Sequence, residues 1–156
     1  HITNKIIQES LNSKIIDDLK HYEILKSEKK FGTNTRFDFF LLNTKNKKKA
    51  FLEVKSVSLS RKKGYAEFPD AVTSRGKKHL ENLILAKKNG YESFLIFLIQ
   101  LEKCESFGIA SDIDPVYFQV FKNAVDNNVN VLCYDCKFSH KGIRINKKIK
   151  ISINDR

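Results

Sequence analysis

Asp38, Glu53 and Lys55 are the side chains of this sequence whose types and spacing best suit chemistry. Each interrupts a short apolar run: Asp38 lies in RFDFFLL, and Glu53 and Lys55 lie in AFLEVKS. The polar tract NTKNKKK between the runs predicts an antiparallel hairpin. Successive strand side chains point to opposite faces, so Glu53 and Lys55, two residues apart, share one face. Asp38 joins them if the hairpin pairs in a suitable register. Carboxylates are seldom buried without a partner, and two of them beside a lysine suit a hard divalent cation. The expected ion is Mg2+ or Mn2+, held by Asp38, Glu53 and the backbone carbonyl of Val54. Lys55 would stabilise negative charge on a phosphate or ease deprotonation of an attacking water. A plainer reading makes Asp38 and Glu53 edge-of-sheet charges balanced by Lys55 and Arg36.

The elements that must carry these residues follow from apolar periodicity. Ile2, Ile6, Ile7, Leu11, Ile15, Ile16 and Leu19 recur at helical spacing, predicting a helix capped by Thr3 or Asn4 and running to about Leu19. Glu9 stands seven residues from both Ile2 and Ile16, on the expected packed side, and is either a chance charge at the edge of the core or a site residue that would reach the carboxylates and help hold a metal. Residues 22–31 alternate like a strand, and Gly32 and Asn34 turn the chain into the Asp38 strand. A polar loop is expected over 58–69. Thr73 or Ser74 caps a second helix ending near Asn89 and Gly90, and ESFLIFLIQ reads as a strand buried on both faces. Asp114-Pro115 opens a third helix, residues 129–134 give another strand, and GIRINKKIKISI reads as a basic edge hairpin. This order predicts an α/β fold with a mixed central sheet flanked by helices, its later strands parallel.

The 156 residues fit one domain, and no apolar run reaches the length of a membrane span. The chain opens on His1 and holds no methionine, from which we expect the translated start to lie upstream. Net charge is +11, pointing to a polyanion such as DNA, although 24 of the 29 basic residues are Lys, as an AT-rich genome alone would produce. Three cysteines, an odd number, predict a reducing cytoplasm; Cys133, Cys136, Cys104 and His140 offer a zinc set, with ordinary thiols as the default. Two groups of cations suit phosphate. Arg61, Lys62 and Lys63 stand together beside Tyr65 in the polar loop, which could equally be just solvated. Arg75, Lys78 and His79 share the first turns of the second helix, where the plainer reading packs His79 on the sheet and pairs Arg75 with a structural carboxylate.

An Asp followed fifteen residues later by Glu-x-Lys resembles the short motif of the PD-(D/E)XK nuclease superfamily. Pro69-Asp70 spells the letters PD but follows the Glu-x-Lys, so Asp70 is assigned to turn and helix-start chemistry. The block GYAEFPDAVTSRGKKHL, shortly after LEVKSV, resembles the sugar fermentation stimulation (SfsA) family, and the likeness extends over nearly the whole chain; Ala66-Glu67 before Phe68 is a small insertion. The resemblance implies that 1–156 is a C-terminal PD-(D/E)XK-like domain, a restriction-endonuclease-like core of order αβββαβαβ plus a C-terminal hairpin. It implies an OB-like domain upstream, DNA as partner, and a link to sugar (maltose) metabolism in bacteria. Glu9, Asp38, Glu53 and Lys55 fall on its motif positions. The expected function is metal-dependent hydrolysis of DNA phosphodiesters. The alternatives are a non-catalytic DNA-binding regulator and, lower, a phosphoesterase acting on a smaller nucleotide.

Overall fold

The central hairpin forms where the two apolar runs predict it. In the computed structural model, which describes residues 2–153, β2 (Thr35–Asn43) and β3 (Lys49–Val57) pair antiparallel, with Phe39 opposite Leu52 and Leu41 opposite Ala50. β1 (Tyr22–Phe31) pairs antiparallel with the outer side of β2. On the other side of β3 lie β6 (Glu92–Ile99) and β8 (Asn130–Ser139), each parallel to its neighbour, and then β9 (Gly142–Lys148), antiparallel to β8. The resulting six-stranded mixed sheet has the order β1-β2-β3-β6-β8-β9. β3 and β6 take the buried middle; from Phe94 to Ile99 β6 is an unbroken apolar run, whereas Glu53 and Lys55 interrupt β3.

Helices cover both faces. α1 (Ile2–Asn12) places Ile6, Ile7 and Leu11 against Leu52, Val54, Ile96 and Leu98. On the opposite face α2 (Ser74–Lys88) and α3 (Pro115–Asp126) pack Leu80, Leu83, Phe118 and Phe121 over Phe51, Leu95 and Phe97. The Thr73 hydroxyl caps α2 by accepting from the Gly76 N–H at 2.9 Å. Asp114 does the same for α3, accepting from the Tyr117 N–H at 3.0 Å, with Pro115 at the first helical position. The other Asp114 oxygen accepts from the Thr73 N–H at 2.9 Å, so one buried carboxylate ties the starts of both helices together.

Three expectations need correction. The first helix ends at Asn12, and a separate 3-10 turn covers Asp17–Leu19; Thr3 and Asn4 lie inside the helix. The segment 58–69 is no loop: β4 (Leu59–Lys62) and β5 (Tyr65–Phe68) form a hairpin turning at Gly64, whose φ of 74° favours glycine. They join β7 (Ser106–Ile109) and β10 (Lys150–Ser152) in a second sheet of order β10-β7-β5-β4. The C-terminal stretch is therefore split. β9 extends the large sheet while β10 runs parallel to β7 in the small one, so it makes no hairpin of its own. Among the described residues no helix is long and apolar enough to cross a membrane.

Candidate functional site

The site lies where β2 and β3 part. Their ladder runs from Leu42 opposite Lys49 to Phe39 opposite Leu52 and stops there. At the same point β2 changes face: Phe39 packs in the α1 core, whereas Phe37, two residues away, packs in the α2–α3 core. A regular strand would keep both on one side. On β1, across from the irregularity, Glu28 has a positive φ of 55°. Asp38 sits at the reversal, and side chains take over from the missing ladder bonds. The Val54 N–H donates to Asp38 Oδ2 at 2.8 Å, and the Asp38 N–H donates to Glu53 Oε1 at 3.3 Å. Each carboxylate thus satisfies a backbone donor of the opposite strand.

The expected shared face holds. Glu53 is 4% exposed, and its Oε2 lies 3.0 Å from Lys55 Nζ and 2.8 Å from His79 Nδ1. Lys55 Nζ is itself 2.7 Å from the same His79 nitrogen. Nδ1 carries either a proton or a lone pair, so these contacts alternate. With the lone pair there, the Lys55 ammonium bridges His79 and Glu53; with the proton there, His79 donates to Glu53. The tautomer of the imidazole decides which of the two arrangements holds.

The two carboxylates titrate in opposite directions. Burial, and then the neighbouring Glu53 charge, push Asp38 up to about 6. Burial alone would raise Glu53 as well, but the His79 hydrogen bond and the Lys55 charge outweigh it and hold Glu53 below its ordinary value. The pair is therefore a fixed anion beside one that carries its charge at a cost, an arrangement a further cation would relieve.

α1 reaches the site through Asn4, whose amide donates to Asp38 Oδ1 at 2.9 Å. The helix start is clamped by Gln100, whose amide donates to Thr3 Oγ1 at 2.6 Å and to Ser56 Oγ at 2.8 Å. Glu9, expected on the packed side, is exposed and lines a cleft with residues 139–144 at the β8–β9 turn. The reason is visible in its neighbours: Ile2 is 52% exposed and Ile16 lies beyond the helix end, so neither marks the packed face.

His79 is buried beside Phe37, and its ring borders an open cleft of ≈ 520 Å³ shared with Arg75, Lys78, Arg36, Asn34 and Ser74. Arg75, Lys78 and His79 are thus brought together, as their spacing on α2 predicts. A Cβ on Gly76 would stand 2.9 Å from Thr73 Cγ2 and 3.2 Å from the Tyr117 ring, so glycine leaves room for the Thr73 cap and for α3. The other basic group is elsewhere. Arg61 is spent on Glu67 and Asp112, at 2.7–2.9 Å, while Lys62 and Lys63 are exposed and line a groove on the small sheet with Tyr65 and Lys150. Asn4 and Arg36 are the residues that sequence reasoning missed. Asn4 read as a cap and Arg36 as a balancing charge, and only the fold brings them to the site. Cys104, Cys133 and Cys136 are all buried free thiols.

The donor set suits a hard cation in part. Asp38 and Glu53 present oxygen donors at one gap, and a carboxylate has about four lone-pair sites, of which the contacts above use only some. Among the described residues no group of three or more His, Cys, Asp or Glu is placed to hold a metal, because Glu9 stands apart.

The family model described as the sugar fermentation stimulation protein RE domain (SfsA) matches residues 1–142. The chain belongs to this family. It is 47% identical over 151 residues to the sugar fermentation stimulation protein homolog of Pelagibacter ubique, covering 97% of this chain and 64% of that protein. It is 42% identical over 151 residues to the homolog of Pseudoalteromonas atlantica, covering 96% of this chain and 64% of that one. The chain thus spans about 64% of the length of these SfsA relatives. The solved structure of Pyrococcus furiosus SfsA in complex with Ca2+ has the same fold, with a TM-score of 0.88 at 23% identity over 97% of this chain and 64% of that one.

Proposed function

We propose that this domain is a Mg2+- or Mn2+-dependent nuclease of the PD-(D/E)XK type that hydrolyses DNA phosphodiesters in the cytoplasm. The observation that carries the reading is the carboxylate pair at the parting of β2 and β3, with Lys55 and His79 drawn up against Glu53. Asp38, Glu53 and the Val54 carbonyl would hold the ion, which when bound supplies Lewis-acid polarisation of the phosphoryl group and a more acidic water. The Ca2+ in the Pyrococcus furiosus structure supports an oxygen-donor cation site in this fold.

The chain's own residues have separable tasks in this reading. Asn4 and the Val54 N–H fix the Asp38 carboxylate through one hydrogen bond to each oxygen. Lys55, 3.0 Å from Glu53, offers its ammonium to charge developing on the phosphate. His79 takes or gives a proton at Nδ1 within the triangle. Arg75 and Lys78 bind the phosphate from the adjoining cleft. Glu9 is no longer a candidate for a second ion in this arrangement, because it lies at the β8–β9 turn. The part of the relatives that this chain does not span is proposed to include the OB-like domain, adding single-strand contacts.

The test combines thermal unfolding and cleavage. Mg2+ or Mn2+ should raise Tm progressively with concentration relative to EDTA, and should support cleavage of single- or double-stranded DNA. If neither stabilisation nor cleavage occurs, the nuclease reading fails. The second reading, a DNA-binding regulator of sugar metabolism without turnover, then stands; the net charge of +11 and the basic cleft favour it equally.

A further inference from the structure

The clefts on the two sides of the carboxylate pair differ in charge. The ≈ 520 Å³ cleft beside His79 is lined by Arg36, Arg75 and Lys78 and by no carboxylate. All three cations are exposed, and none makes an ion pair among the described residues. The ≈ 370 Å³ cleft that Asp38 lines has one cation, Lys5, against two carboxylates, Asp38 and Glu28. His79 connects the first cleft to the site: it is 5% exposed, its Nδ1 is engaged by Glu53 and Lys55, and its ring borders the Arg36–Arg75 side.

A nucleic-acid strand running through the site carries one charge per phosphodiester on both sides of the point of attack. It would call for cations on both sides. A strand end bearing a phosphate monoester is different, because it concentrates a charge of about −1.5 to −2 at one point at neutral pH. Two guanidinium forks and an ammonium facing one cleft match that group better than a monoanionic diester. We infer that the Arg36–Arg75–Lys78 cleft seats the terminal phosphate monoester of a nucleic-acid strand, so that the carboxylate pair works at strand ends. This deepens the nuclease reading and rests on it for the chemistry, though not for the binding.

The test is binding without divalent metal, in EDTA, so that neither metal affinity nor cleavage enters. Short single-stranded DNA carrying a fluorophore on an internal base is titrated with the full chain in three forms: hydroxyl at both ends, 5′-phosphate, or 3′-phosphate. One of the phosphorylated forms should bind on the order of tenfold tighter than the hydroxyl-ended form. The preference should vanish in Arg36→Ala and in Arg75→Ala, both exposed positions, and persist in Lys5→Ala. Equal binding of all three forms overturns the inference, as does a preference that survives the Arg36→Ala/Arg75→Ala double variant. Equal binding together with metal-dependent cleavage of the same DNA would sink the inference and leave the nuclease reading intact. An end-phosphate preference in a protein that shows no metal response would do the reverse.

Discussion

Glu53 and Glu67 are both nearly fully buried, at 4% and 1% exposed, and both meet a basic side chain, yet their surroundings differ in kind. Glu67 is closed. Arg61 takes both of its oxygens through a two-pronged contact, 2.9 Å on each side, and the same guanidinium grips both oxygens of Asp112. Glu53 is open. Its Oε2 is shared between a lysine and a histidine that also touch each other, and its Oε1 accepts from the Asp38 N–H at a long 3.3 Å. A buried carboxylate saturated by one rigid fork holds the small sheet together, whereas one whose oxygen is shared by two separate side chains beside a cleft keeps lone pairs for a further partner.

The sharpest way to break this comparison is to remove the basic partner from each glutamate. Lys55→Ala should lower cleavage by about 100-fold or more while leaving the metal-induced rise in Tm in place, because Asp38 and Glu53 remain. Arg61→Ala should do the opposite: Tm falls by several degrees, and cleavage per folded molecule is unchanged. Equal losses of activity in the two variants would erase the distinction.

Asp38→Asn sharpens it from the other side. The variant should lose the Mg2+- or Mn2+-induced rise and all cleavage, yet melt slightly higher than wild type in EDTA near neutral pH, since it removes a costly charge. The pH dependence of the metal-free protein checks the same cause. Asp38 binds its proton more tightly when folded, at about 6 against an ordinary 3.8, so its contribution to stability is fully present below about 3.8 and lost as pH rises through about 6. Glu53, held low, contributes stability above its ordinary 4.5 that is lost only as pH falls through its depressed value. Metal-free Tm should therefore climb on acidification from about pH 7 towards about pH 5, and this climb should be absent in Asp38→Asn. The smallest effect belongs to Glu9→Gln, an exposed site, which should shift stability by no more than about 0.5 kcal/mol and leave the metal response untouched.

The inner half of the site was legible because it depends on local pattern. Charges inside apolar runs marked Asp38, Glu53 and Lys55, and helical spacing put Arg75 and His79 on one end of α2. The outer half was not. Asn4 reaches Asp38 only because Gln100, ninety-seven residues away from Thr3, clamps the start of α1. The small sheet escaped notice for a related reason. β7 has four residues and finds its partners in β5 and β10, far off in sequence, while β4 and β5 around Gly64 show no alternation of buried and exposed residues that would mark them as strands. A helix reaching Leu19 would give Glu9 packed neighbours that the helix ending at Asn12 does not have.

Asp114 gives the site a history as well as a shape. Its carboxylate fixes the Thr73 amide at the threshold of the helix that carries His79, and it is itself held in place by the first turn of α3. Chain leaving the ribosome through β3 already contains both carboxylates and Lys55, but the carboxylate that ties down the start of the His79 helix emerges only with residue 114. The acids are made first and the clasp on the His79 helix last, so a nascent or truncated chain that stops short of α3 carries the charge of the site without the Asp114 tie at the start of α2.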